Sequence, residues 1–441
     1  MEHFRDSLSD SPVCAAYLGL FGIPLNRVGA NQTARGMSKG SGHRHWQKSF
    51  SALFIAATTR FNSSVVNLKA QRKSRPARFE VRWLFNVLVD GARACGLITL
   101  LVLLPALSTG CGTFMAHRMV QAPNTYPDWF ASGAPVRLGF SPKFLTNFPK
   151  QFVAVGPPSV QMCYRVVEPA DYHLKISSTN WLENGQKQFE FDFLADLPGR
   201  SNLWTSSPRG TIVLLHGYGL AQFSMAPWAL RLAQEGWQCV LVDLRGHGKS
   251  TGKQIYYGLQ EVHDLSQLLN QLAHDGRLRE PVAAVGESYG AVMALRWKSI
   301  EPRIRTVVAI TPYAGLSNTV MNLRREYAGW MPKTVVRAGL KKLPDLLGVP
   351  AAELDTTTEL SRFPTSALFV AGTEDKITPV ADVEQLHALV APGSKLIVVP
   401  KATHEAITYL FADLVPPVLE WLAEKMDRTE PNQSGACLLP R

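Results

Sequence analysis

Cysteine is scarce and scattered in this 441-residue chain. The six cysteines, at positions 14, 95, 111, 163, 239 and 437, form no CxxC pair and no Cys/His spacing suited to zinc. Neither a disulfide framework nor a metal site is indicated. Cys239 stands inside an apolar strand-like run and reads as a small buried hydrophobe. A long membrane-spanning run is also missing. The charge-free stretch Ala94–Leu107 has 14 residues, short of the roughly 20 that a spanning helix needs. Asp90 and Arg93 block any extension backward. No internal repeat is visible. The main body also lacks an excess of charge of either sign. Residues 1–120 hold 15 Lys and Arg against 5 Asp and Glu, a net of +10, whereas the remainder holds 31 against 30, a net of +1. A near-neutral body argues against a nucleic-acid partner.

What is present begins with a basic tract. Residues 1–80 have no sustained periodicity and are rich in Ser, Asn, Gly, Arg and Lys. They read as a disordered tail, or as sequence upstream of the true translation start. In the segment 81–111 the apolar run follows a basic stretch that includes Arg72, Lys73, Arg75, Arg78 and Arg82. A short apolar run with a positive flank is the pattern of a secretory signal. The run ends in Ser108-Thr109-Gly110-Cys111, which resembles a bacterial lipobox, although Ser108 stands where an aliphatic residue is usual. The resemblance implies lipidation of Cys111 and attachment to a membrane of the bacterial cell envelope. An acyl chain would hold the protein there at about 0.8 kcal/mol per buried methylene. Cleaved secretion, an uncleaved membrane anchor, and a buried hydrophobic helix in a cytoplasmic protein remain open beside it.

Residues 112–158 read as a linker, because 120–150 are rich in Pro, Gly and Asn. Next, "DYHLKISSTNW" leads through Asn184-Gly185 to "KQFEFDFLAD", a hairpin with Phe189, Phe191 and Phe193 on one face. Apolar strands are expected at 211–215, 239–243, 282–286, 306–310, 366–371 and 395–399, separated by helical stretches. That alternation predicts an α/β fold, with a mostly parallel central sheet, helices on both faces, and the hairpin as antiparallel N-terminal edge strands. The core spans 159–313 and 363–427, and 428–441 form a flexible tail. Between the core parts, 314–362 is far longer than an ordinary connection and mostly helical. It predicts a cap over the carboxyl ends of the strands, where open α/β sheets bind ligands.

Chemistry concentrates at "PVAAVGESYGAVMAL". An apolar strand stops at Gly286-Glu287-Ser288-Tyr289-Gly290, and a helix of small residues comes directly after it. G-x-S-x-G in this setting holds a nucleophile on a strained turn, and glycines relieve the crowding on either side. The helix N-terminus behind Ser288 would favour a developing oxyanion. Serine is a weak nucleophile without a base oriented by a carboxylate. Downstream, "SALFVAGTEDKITPV" ends a strand at Glu374-Asp375, and "KLIVVPKATHEAI" ends the next just before His404. Both side chains would reach the sheet edge that carries Ser288. Asp375 is favoured over Glu374 because it precedes "KITP", where the loop turns into a helix. Two backbone amides are expected to form the oxyanion site, Tyr289 N–H and Tyr218 N–H. His216 reads as a brace of its loop, and Glu287 has no evident role.

Together "LLHGYG", "VDLRGHGKSTG", "VGESYGA", "AGTEDKITP" and "THE" resemble the serine-hydrolase branch of the α/β-hydrolase superfamily, over about residues 160–425. The likeness is greatest to the monoacylglycerol lipase/lysophospholipase and S33 serine-aminopeptidase-like group. It implies a triad of Ser288, Asp375 and His404, needing no cofactor and no metal. It also implies that Asp243, Arg245 and His247 shape a loop near the site mouth without taking part in the chemistry. His263 and Asp264 on the helix after that loop read as a solvated or bracing pair. The expected activity is hydrolysis of a carboxylic ester of a small acyl substrate, monoacylglycerol or lysophospholipid. Peptide or amide hydrolysis, with Glu326, Glu353 or Glu359 of the cap taking the substrate amine, stays open. So do acyl transfer to an alcohol and a catalytically silent, membrane-tethered binding protein.

Overall fold

Uninterrupted runs of Val, Ile, Leu and Ala make strands that can be buried on both faces at once. The computed structural model describes residues 110–125, 136–139, 142–183, 186–196 and 207–427. In chain order the strands are β1 (Val136–Leu138), β2 (Gln151–Val155), β3 (Val160–Val167), β4 (His173–Glu183), β5 (Gln186–Asp196) and β6 (Thr211–Leu215). They continue with β7 (Gln238–Val242), β8 (Val282–Glu287), β9 (Ile304–Ile310), β10 (Ala367–Gly372) and β11 (Lys395–Val399). The helices between and after them are α1 (Ala226–Gln234), α2 (Glu261–His274), α3 (Tyr289–Ile300), α4 (Leu316–Tyr327), α5 (Lys333–Leu347), α6 (Thr356–Arg362), α7 (Val380–His387) and α8 (Phe411–Met426).

Eight strands form one sheet in the order β11-β10-β9-β8-β6-β7-β3-β2. The six from β6 to β11 are mutually parallel. β3 runs antiparallel to β7, and β2 antiparallel to β3. Side chains alternate across the sheet. Val213 and Leu215 join the core under α2, α3 and α7, with Leu265, Leu268 and Leu386. Ile212 and Leu214 join the opposite core under α1 and α8, with Trp228 and Trp421. Strand order reverses around β6, whose neighbours are β7 on one side and β8 on the other. The crevice at such a reversal is where α/β sheets place ligands. This is the α/β-hydrolase arrangement.

Two expectations are corrected. The hairpin β4–β5 does not edge the main sheet; with β1 it forms a separate three-stranded sheet. The place beside β7 goes to β3, whose "VQMCYRVV" is buried on both faces apart from Gln161, and β4 is largely exposed and polar. Phe191 instead packs across Tyr409 and Phe411, with ring centroids 5.1 and 5.4 Å away. Phe189, Phe191 and Phe193 are buried together as the alternation predicts. The second correction concerns the stretch 112–158. Residues 110–120 are helical, and Met115, Ala116, Met119 and Val120 are buried at the spacing of one helical stripe. β2 lies at the sheet edge, so this stretch belongs to the packed body.

The cap comprises α4, α5, a 3-10 turn at Ala351–Leu354, and α6. α4 is tied to the loop after β10 by Asn322 Nδ2–H donating to Ile377 O at 3.0 Å and by Arg325 donating to Lys376 O at 3.2 Å. The tails 1–80 and 428–441, the apolar run 94–107 and the Asn184-Gly185 turn lie outside the described residues. Among those described, no helix is long and apolar enough to cross a membrane.

Candidate active site

The turn between β8 and α3 consists of Ser288 alone. Its φ of 49° and ψ of −109° lie in a region that side chains avoid, a strain the surrounding packing must hold. Ser288 N–H donates to Ile310 O on β9 at 2.8 Å, which anchors the turn to the sheet. The flanking glycines have a steric reason. A Cβ on Gly286 would overlap the Gly290 carbonyl, and one on Gly290 would overlap the carbonyls of Leu215 and His216. The start of α3 can therefore press against the end of β6.

Asp375 lies in the loop after β10. Its Oδ1 accepts Ile377 N–H at 2.8 Å and Thr378 N–H at 2.7 Å, and its Oδ2 accepts the Thr378 hydroxyl at 2.8 Å. His404 stands in the loop after β11. Its Nδ1–H donates to Asp375 Oδ2 at 2.7 Å, which leaves Nε2 facing Ser288 Oγ at 3.0 Å. The three expected residues are thus in one hydrogen-bonded line, all buried. Burial works against a charged His404 ring. The adjacent Asp375 carboxylate, its hydrogen bond and the charge of Glu287 outweigh this and raise the ring's pKa. Glu374 does not take this place; its N–H donates to Ala402 O at 3.0 Å.

Tyr218 and Tyr289 sit just beyond the ends of the neighbouring strands β6 and β8, with rings edge to face at 6.1 Å. Tyr289 opens α3, where the first-turn N–H groups have no acceptor within their own helix. His216 braces as expected. Its Nδ1–H donates to Gly217 O at 2.8 Å and its Nε2 accepts Leu244 N–H at 3.1 Å. Burial lowers its pKa to about 4, so the ring is neutral. Asp243 accepts Gln222 N–H at 2.7 Å and Lys249 N–H at 2.9 Å, tying two loops together. Arg245 and Asp264 form a buried two-pronged pair with both contacts at 2.7 Å. This corrects the pairing of Asp264 with His263, which is exposed. Burial likewise lowers the pKa of His247, to about 3.

Three features were not assigned from sequence. Thr378 steadies both Asp375 and His404; the "DKIT" spacing, an acid followed by a hydroxyl residue at a turn, was its only signal. Burial pushes the Glu287 carboxyl up to about 7, against the pull of His404 and of the Thr408 hydroxyl. Burial, with the charge of Glu326 adding to it, also pushes Glu405 up to about 7. Of the cap acids, Glu326 pairs with Arg325 and Lys376, Glu353 with Arg362, and Glu359 with Arg296. Cys111 is exposed at the start of the helical residues 110–120. Among the described residues, no group of three His, Cys, Asp or Glu could hold a metal.

The family model for serine aminopeptidase S33 matches residues 206–353. An uncharacterized protein of Bacillus subtilis (strain 168), YqkD, is 26% identical over 204 residues, which are 45% of this chain and 66% of that protein. The matched part of the chain therefore spans just under two thirds of this relative. Among solved structures, a Pyrococcus furiosus esterase is similar at 22% identity and a TM-score of 0.47, over 65% of this chain and 95% of its own. A Pseudomonas aeruginosa hydrolase is similar at 17% identity and a TM-score of 0.41, over 62% and 98%.

Proposed function

We propose that this chain, an α/β hydrolase by fold, is a serine hydrolase that cleaves a carboxylic ester of a monoacylglycerol- or lysophospholipid-like substrate. The single observation that carries the reading is the unbroken line Ser288 Oγ, His404 Nε2, His404 Nδ1–H, Asp375 Oδ2, with contacts of 3.0 and 2.7 Å. Ser288 Oγ bonds to the acyl carbon as its proton passes to His404 Nε2. Asp375 fixes the tautomer and stabilises the imidazolium. The carbonyl oxygen gains the negative charge, and the N–H groups of Tyr218 and Tyr289 receive it. Collapse breaks the acyl–oxygen bond, and the departing alcohol takes the proton from His404. Water then attacks the acyl-enzyme and gives its proton to His404. The carboxylic acid leaves, and Ser288 recovers its hydrogen.

The ester preference is supported by the Leu and Val residues, Met321 and Trp330 of the otherwise amphipathic cap, and by a proposed membrane attachment through a lipid on Cys111. Mass spectrometry of the mature N-terminus tests the attachment. The alternative reading, hydrolysis of an aminoacyl substrate, needs an acid to receive the substrate amine, and Glu326, Glu353 and Glu359 are each already paired with a basic side chain. A panel of monoacylglycerol, lysophospholipid, p-nitrophenyl ester and aminoacyl substrates separates the two. A fluorophosphonate probe should label the wild-type protein on Ser288. Ser288→Ala should lose both labelling and turnover, the latter by at least about four orders of magnitude. Full activity in that variant would refute the assignment.

A further inference from the structure

Next to the nucleophile stands a second carboxyl group for which the hydrolytic cycle has no step. Glu287 is the last residue of β8 and is buried. A Cβ on Gly217 would lie 3.6 Å from its Cδ and Oε1, an ordinary contact distance, so the carboxyl group lies against the loop after β6. Its Oε2 has no hydrogen-bond partner among the described residues, and neither does the buried Tyr409 hydroxyl. Thr408 and His404 act on the carboxyl group directly, and Tyr409 feels its charge. A buried carboxyl with an unused oxygen is costly, and such an orphan in a native fold calls for a reason. An apolar side chain or an amide would fill this position at lower cost.

Resting on the serine-hydrolase reading, we propose that Glu287 is a positioning residue, a second carboxylate that faces His404 and stabilises the imidazolium formed when Ser288 gives up its proton. Asp375 holds the ring by a hydrogen bond at Nδ1, and Glu287 acts on the same ring through space. The groups facing Glu287 are His404, Thr408 and Tyr409 from the turn before α8, and Gly217 from the loop after β6. His404 is therefore the group in this set that becomes cationic during the cycle.

A negative charge near the ring raises its affinity for a proton. The base works only when neutral, so activity rises as pH passes upward through the ring's pKa. Removing the charge lowers that pKa and moves the acid limb to lower pH. It also weakens the charged intermediate, so the plateau falls.

The experiment is the pH dependence of p-nitrophenyl ester turnover and of fluorophosphonate labelling for wild type, Glu287→Gln and Glu287→Asp. The Gln variant should shift its acid limb down by about one pH unit and lower the plateau about tenfold. The Asp variant should bring the limb back toward wild type. Superimposable limbs, or Asp and Gln behaving alike, overturn the proposal while wild-type labelling keeps the hydrolase reading intact. Absence of labelling in wild type overturns both. Should the Gln variant not fold, the His404 ring signal of the wild type decides. Two groups exchanging protons in the same range give a two-step titration, and a single ordinary step overturns the proposal.

Discussion

Glu374 and Asp375 are adjacent acids in the loop after β10, and only Asp375 meets the imidazole. The difference lies in the next three residues. Ile377 and Thr378 fold back so that two N–H groups and one hydroxyl bind the Asp375 carboxylate. Asp375→Asn keeps the shape but offers the ring an amide where it had an acceptor, favouring the wrong tautomer. Turnover should fall by about four orders of magnitude with the melting temperature nearly unchanged, measured by ester hydrolysis and thermal unfolding. A loss below tenfold would mean that the carboxylate does not orient the base. The positions of Ser288, Asp375 and His404 were legible because strand ends are legible: apolar runs stop, and chemistry-bearing residues come directly after. Glu287, Thr378 and Glu405 were not. Their burial depends on residues far away in sequence, such as Gly217 and Glu326, and no local pattern reports that.

At the scale of elements, the parallel strands β6 to β11 were readable from composition because burial on both faces leaves no polar alternation. Observed ends fall within two residues of those expected at each of them. The hairpin was recognised but misplaced. Alternation gives a strand its faces without naming the neighbour it pairs with, and β3 with its apolar residues on both faces outcompeted β4 for the edge of β7. The turn at Ser288 joins both kinds of information. Its glycines are local in sequence, yet Gly290 is demanded by a different element, the end of β6. Gly290→Ala would drive a methyl group into the Leu215 and His216 carbonyls. Overpacking of this kind costs roughly 1–3 kcal/mol. The relief available is a shift of α3, which carries Ser288 away from His404 Nε2. Fluorophosphonate labelling should therefore drop far more than stability does. A variant that melts lower but labels at the wild-type rate would show that the close approach serves packing only.

At the scale of the molecule, residues 110–125 act as a strap between cap and core, although composition alone reads much of this region as a linker. The first half lies against α5, with Gly112 facing Ala338 and Met115 facing Gly339. The second half is pinned to the loop after β7. Ala122 N–H donates to Lys253 O at 3.0 Å, Ile255 N–H to Val120 O at 2.9 Å, and the Tyr257 hydroxyl to Met119 O at 2.6 Å. Gly339 tests the strap because two opposing effects meet there. In an open helix, Gly to Ala gains about 1 kcal/mol of helix propensity. Here the added Cβ would collide with Cβ and Cγ of Met115 and with the backbone behind it. Those atoms are near the main chain and cannot swing aside, so the sign should reverse. Gly339→Ala should melt several degrees below wild type and be cut by protease within 110–125 at lower temperature, with fluorophosphonate labelling of Ser288 retained. A higher melting temperature would mean that α5 and the strap separate freely, and that the cap is held by α4 and the loop after β10 alone.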